Sequence, residues 1–297
     1  MSALKDEMAT VRLVNSLKNR HASVRRHAAK VLGKQKLDPS LALRQFSKSL
    51  RDCDEQVRIS AINGLEKLGP TAVAILAQAL SHPDKQVRRE AAWALGRMGS
   101  QARPAVGALA EALKDTDLRV AQGAARSLGM IGPGAEPAIL ALMGVLDDSN
   151  FLICRLAAWS LGQIGPAAVP GLVQALQAAE IYVRCEAAWA LAQMGPKACD
   201  AVPALCAALR SEEARCLFKS DGPPASDPDL DTTVPVFIPP RNGTPEAFCL
   251  LVVKALGEIG PAAREAVPEL AHLAEAGQGT AQVVAHLALK QIEQAVA

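Results

Sequence analysis

Rings are scarce in this chain of 297 residues: five Phe, three Trp and one Tyr, 3% of the total. A mixed globular enzyme uses more of them in its core. Here Ala, Leu and Val carry a hydrophobic content of 50%, the composition of close-packed helices. A large excess of one charge is also missing: the net charge is +2, which together with the aliphatic content excludes a disordered chain. No run of about 20 apolar residues occurs, so no membrane span is predicted. The first residues, Met1 to Glu7, include acids where a secretory signal needs an apolar stretch. Seven Cys, at 53, 154, 185, 199, 206, 216 and 249, form no C-x-x-C pair, which leaves neither a disulfide framework nor a zinc signature. Buried, reduced thiols in a cytoplasmic protein are expected. Catalytic signatures are lacking too, with no Ser/His/Asp motif, phosphate loop or dinucleotide fingerprint.

What is present is a repeat. Val87-Arg88-Arg89-Glu90-Ala91-Ala92-Trp93-Ala94-Leu95 recurs as Val183-Arg184-Cys185-Glu186-Ala187-Ala188-Trp189-Ala190-Leu191. Weaker copies are anchored at Val24, Val57, Val120, Ile153, Phe248 and Val284, making eight with spacings of 33, 30, 33, 33, 30, 65 and 36 residues. Each copy reads as two helices. A Gly-Pro or Gly-Ser break follows the anchor helix, as at Gly69-Pro70 and Gly99-Ser100, where Gly is expected to take a left-handed cap and Pro to start the next helix. Three residues before the anchor stand Asp54, Asp84, Asp117, Asn150 and Glu180, the position of an N-cap. Arg25, Arg58, Arg88 and Arg184 follow the anchor and are predicted to pair with turn carboxylates of neighbouring repeats, forming a ladder. The repeats anchored at Val57 and Val87 match those at Ile153 and Val183 at an offset of 96 residues, as expected from duplication of a three-repeat block.

The pattern D-x-x-V-R-x-x-A-A-x-A-L-G-x-[IM]-G-P resembles the HEAT-like repeats named after the phycobilisome lyases, over nearly the whole chain. The resemblance implies an all-α fold, a right-handed α-α superhelix of about eight helix pairs forming one domain over residues 1–297, with the anchor helices lining a concave face. It does not imply one function, since such repeats serve binding scaffolds, chromophore lyases and a di-iron hydroxylase family. The hydroxylase type places His-Glu pairs at helix starts. Arg89-Glu90 and Cys185-Glu186 stand there instead, and none of His21, His27, His82, His272 and His286 precedes a Glu. Iron chemistry of that kind is disfavoured, and no catalytic, cofactor or metal residue is assigned.

On a helical wheel, Val87, Ala91, Ala94, Leu95 and Met98 form the core stripe, and Gln86, Glu90, Trp93 and Arg97 the groove side. The position of Trp93 holds, through the eight copies, Lys30, Asn63, Trp93, Arg126, Trp159, Trp189, Lys254 and Lys290, so every Trp of the chain shares one place. The expected partner-binding groove is Trp93, Arg97, Arg126, Trp159, Gln163, Tyr182, Glu186, Trp189 and Gln193. Charge is unevenly spread: residues 1–70 hold fourteen Lys and Arg against seven Asp and Glu, and residues 211–297 six against twelve. Arg26, Lys30, Lys34 and Lys67 make a basic patch at the first repeats, suited to phosphate or an acidic partner.

The spacing of 65 residues predicts an inserted, Pro-rich loop at 211–246 within the seventh repeat, acidic in its first half and apolar from Val234 to Pro240. The function expected is a non-catalytic scaffold binding a protein or peptide in the concave groove, with no cofactor. Bilin lyase or isomerase-like chromophore handling is the first alternative. Nucleic-acid binding through the basic first repeats is the second.

Overall fold

A computed structural model describes residues 2–34, 38–148, 150–211, 214, 217, 243–277 and 279–294. Sixteen α-helices and several 3₁₀ segments, and no strand, occur among these residues. The fold is all-α and built of repeats. It divides into two compact units, Met1–Ala141 and Leu142–Ala297.

All eight sequence anchors lie in helices: α2 (Ala22–Leu32), α4 (Glu55–Lys67), α6 (Lys85–Arg97) and α8 (Leu118–Ile131) in the first unit, and α10 (Phe151–Ile164), α12 (Ile181–Met194), α14 (Pro245–Ile259) and α16 (Thr280–Gln294) in the second. Within each unit, consecutive anchor helices pack on one another. The intervening helices pack on the anchor helix that follows: α1 (Ser2–Ser16), α3 (Pro39–Ser49), α5 (Val73–Ala79) and α7 (Val106–Ala112), then α11 (Val169–Ala175), α13 (Val202–Leu209) and α15 (Val267–Ala276). A further short helix, α9 (Ile139–Met143), precedes α10.

Composition explains this packing. The paired alanines Ala28-Ala29, Ala91-Ala92, Ala124-Ala125, Ala157-Ala158 and Ala187-Ala188 are buried where anchor helices meet, and small side chains let the backbones approach closely. Leu65, Leu95, Leu128, Leu161, Leu191 and Leu256 fill the space behind them, so few rings are needed. Phe46 is the largest of the fully buried side chains.

Local signals act as predicted, with two differences. Asp54, Asp84, Asp117 and Asn150 each accept a backbone N–H of the first turn, but Glu180 makes no such cap, its longer side chain being poorly suited to the geometry. The break glycines have positive φ, yet Gly132 pairs φ +69° with ψ −136°, outside the left-handed helical region. A residue with a Cβ rarely enters that conformation. Pro133 then opens a 3₁₀ turn before the next α-helix begins.

The arginine ladder is present in the first unit. Arg25 makes a two-point contact with Asp52 (2.7 and 2.8 Å), Arg88 makes one with Asp115 (2.6 and 2.8 Å), and Arg58 pairs with Asp84. The other edge of each guanidinium donates to the carbonyl six residues earlier: Arg25 to Asn19, Arg58 to Asp52 and Arg88 to His82. Asp52 and Asp115 also accept the N–H of the cap residue two positions on, whereas His82 receives that bond through Nδ1, leaving Arg58 to reach the cap Asp84 itself. In the second unit Cys154 takes the Arg position, and its thiol contacts the carbonyl of Asp148, again six residues back. The fourth predicted rung, Arg184, stacks its guanidinium over the Phe248 ring at 5.3 Å.

The inserted segment lies between α13 and α14, and most of it, 218–242 included, is outside the described residues. Its predicted end at 246 moves: α14 already starts at Pro245, because a missing N–H costs nothing in the first turn, and Thr244 caps it by accepting from Ala247. The expectation of buried thiols needs correction as well. Cys154, Cys185, Cys206 and Cys249 are buried, but Cys53 and Cys199 are exposed. Burial pushes the thiols of Cys154, Cys185 and Cys206 up to about 11, which keeps them protonated at neutral pH. Cys216 lies outside the described residues.

Candidate functional site

Six residues after the anchor, the chain faces outward in every repeat: Lys30, Asn63, Trp93, Arg126 and Lys290 are exposed, and Trp159, Trp189 and Lys254 half-buried. In the first unit Trp93 retains 40% of its surface, and the guanidinium carbon of Arg126 stands 5.5 Å from its ring centre. That distance is within cation–π range. Met130, one turn beyond Arg126 on α8, is also exposed. One turn beyond Trp93, Arg97 makes a two-point contact with Glu66 of the preceding anchor helix (2.7 and 2.6 Å). The hydrogen bonds that Arg97 donates to Glu66 hold its guanidinium above its ordinary pKa.

Beside this row, α2, α4 and α6 enclose an open depression of about 530 Å³. Lys30, Lys34, Lys67 and Arg97 supply its cations, Glu66 and Glu90 its carboxylates. Lys67 donates to the carbonyl of Gly33 at 2.7 Å, a cation held at the C-terminal end of α2 where the helix dipole favours it. Thus three of the four residues in the predicted basic patch converge. The fourth, Arg26, binds Asp54 at 2.9 and 2.6 Å, and that hydrogen bond draws the Asp54 carboxyl down to about 2.

The second unit treats its predicted residues differently. Glu186 is not a groove carboxylate: it is 1% exposed and hydrogen-bonded by Arg155 at 2.8 and 3.0 Å. Burial raises its pKa against the opposing pull of Arg155. The Arg155 guanidinium in turn lies 4.7 Å from the Phe151 ring centre and 5.3 Å from that of Trp189. Tyr182 donates its hydroxyl to Asp147, and that bond, with burial, raises the phenol well above its usual value. Gln163 and Gln193 are exposed, as expected. Arg155 is absent from the sequence-predicted groove. The signal for it is a cation where the matching repeat, 96 residues earlier, has Ile59.

The matching positions of the two blocks show how far the copies have diverged. Asn63, Lys67 and Arg97 correspond to Trp159, Gln163 and Gln193, and the ion-paired Glu66 to Gly162. Glu66, Lys67 and Arg97 of the lining thus have no charged counterpart in the second copy, whereas Lys30 and Glu90 match Arg126 and Glu186. Among the described residues no group of three His, Cys, Asp or Glu is placed to hold a metal ion, and no helix is long and apolar enough to cross a membrane.

A family model for HEAT repeats matches residues 43–106, 76–162 and 139–217, more than half of the sequence. The chain belongs to the HEAT repeat family. The matched residues include α4 and α6, two of the three helices that build the depression, and the Arg155–Glu186 pair. Solved structures similar to it include an engineered protein at 22% identity, covering 63% of this chain and 96% of that one with a TM-score of 0.44. A second engineered protein, also 22% identical, covers 98% and 90% with a TM-score of 0.42. The complex of CpcE and CpcF of phycocyanin lyase from Nostoc sp. PCC7120 is 21% identical, covers 95% and 94%, and has a TM-score of 0.41. A search of curated proteins found no match.

Proposed function

We propose that this HEAT-repeat chain is a non-catalytic, cytoplasmic scaffold that binds a protein or peptide through the outward face of its anchor helices. The observation that carries the reading is Trp93: an indole left 40% exposed beneath the guanidinium of Arg126, in a molecule that fills its core with aliphatic side chains. Trp and Arg dominate binding energy at protein interfaces, and pairing them at a surface prepares a large amphipathic contact at small entropic cost. Trp159, Gln163 and Gln193 hold the matching positions on the anchor helices of the second unit. Glu186 and Tyr182, already bonded within the chain, support that face from below.

A Trp93→Ala, Arg126→Ala double variant should keep its helical content and thermal midpoint, since both side chains are exposed, yet lose partners that the parent chain captures from a lysate. Retention of the same partners at the same yield would overturn the reading. Chromophore handling has no particular side chain in its favour. Nucleic acid is the weaker alternative, because Glu66 and Glu90 stand among the cations where a phosphate backbone would run.

A further inference from the structure

We infer that the depression between α2, α4 and α6 is a binding site for an acidic peptide segment, whose carboxylates meet Lys30 and Lys34 and whose neighbouring apolar side chain rests on Trp93 and Met130. The inference rests on the scaffold reading above and specifies its partner chemistry.

Four observations on the first unit lead to it. First, the six charged side chains of the depression comprise four cations and two carboxylates, an excess of positive charge in a concave space of about 530 Å³. Concavity concentrates that field on whatever enters. Second, the cations are of two kinds. Lys67 and Arg97 are spoken for by the Gly33 carbonyl and Glu66, whereas the side chains of Lys30 and Lys34 make no ion pair or hydrogen bond among the described residues. Those two lysines are four residues apart, and like charges at that spacing repel. A ligand carboxylate between them relieves the repulsion. Third, the depression opens beside Trp93, since Glu90, Trp93 and Arg97 share one face of α6, and Arg126 and Met130 follow on α8. Basic and apolar surface are thus adjacent, which suits a chain carrying both acidic and apolar side chains. Fourth, in the second copy of the block Lys67 and Arg97 become Gln163 and Gln193, while Trp159 replaces Asn63. Repeat packing tolerates neutral residues at these positions, so the fold does not require the charges.

The choice of a peptide over a nucleic acid follows from the same lining. Glu66 and Glu90 repel an unbroken row of phosphates but leave room for carboxylates spaced by peptide backbone.

The test uses the full chain and a fluorescein-labelled peptide in which five glutamates alternate with five serines and a leucine follows, read by anisotropy. Binding should weaken about tenfold or more in Lys30→Glu, Lys34→Glu, and should fall with added salt. It should be unchanged in Lys197→Glu, which makes the same charge reversal at an exposed lysine of the second unit. The same peptide with glutamine in place of every glutamate should bind at least about tenfold less tightly. Equal binding by the parent and the Lys30, Lys34 variant overturns the inference, as does a single-stranded oligonucleotide of equal charge binding more tightly than the peptide. If the probe fails while the Trp93, Arg126 variant still loses its lysate partners, the acidic-peptide assignment falls and the scaffold reading stands.

Discussion

Burying Glu186 commits the second unit to Arg155. A carboxylate at 1% exposure pays a large desolvation cost, which the guanidinium offsets with two hydrogen bonds while its faces rest on Phe151 and Trp189. Removing one partner of such a pair typically costs about 3–5 kcal/mol, because the other charge is left buried and unpaired. Arg155→Met should therefore lower the urea midpoint strongly, and Arg155→Met with Glu186→Leu should recover much of the loss. The pH dependence has a defined sign. Glu186 has a raised pKa in the folded chain, so its contribution to stability is full below its ordinary value of 4.5 and is lost as pH rises through the raised one. Without Arg155 the rise is larger, so Arg155→Met should lose more stability than the parent as pH rises above the ordinary value of Glu186. The sequence did not reveal this pair. A wheel drawn for α12 puts Glu186 on the same side as Trp189, three residues on, but its burial depends on a side chain one repeat earlier, and contacts between repeats need the helix register. Trp93 was legible because its exposure follows from its own helix.

At the scale of the element, close approach between anchor helices sets the tolerance to change. Gly257 on α14 faces Ala288 on α16, and a Cβ at position 257 would come within 2.9 Å of the Ala288 Cα. That neighbour is backbone and cannot swing aside. Gly257→Val should destabilise the second unit by about 1–3 kcal/mol or more, measured by chemical denaturation. Gly107→Val is the matched control: no atom lies within 4 Å of its would-be Cβ, and only the smaller change in helix propensity should register. Helices, caps and breaks were readable from sequence because each is a local pattern: Asp54, Asp84 and Asp117 cap as expected from their spacing alone. The depression was half legible. Lys30, Lys34 and Lys67 share a wheel position or its neighbour, but that Arg26 turns away to Asp54 and Arg97 turns in to Glu66 depends on the rotation between successive helices.

For the whole molecule, electrostatics are unequally divided. The ladder pairs Arg25–Asp52, Arg58–Asp84 and Arg88–Asp115 all lie in the first unit. Burial pushes the carboxyls of Asp52, Asp84 and Asp115 up, but hydrogen bonds and the arginines together bring them below the usual carboxylate range. A lowered carboxyl contributes stability that is present above its unfolded value of 3.8 and lost as pH falls through the folded one. Between about pH 4 and 2, hydrogen exchange should accelerate in peptides from α2 to α8 before those from α10 to α13. Simultaneous loss in both units would show that the ladder does not govern acid stability.

The ladder has one more consequence. Each rung joins an arginine to the repeat that follows it, and Val57-Arg58 and Val87-Arg88 are the same dipeptide at the same point of two anchor helices. A chain cut after Val57 and rejoined at Arg88 would keep a Val-Arg junction, a Gly break at Gly99 and an aspartate at 115 for the guanidinium to reach. At this joint the number of repeats is a matter of copying rather than of folding, and a gene can remove or add the repeat between Val57 and Arg88 without redesigning the rung.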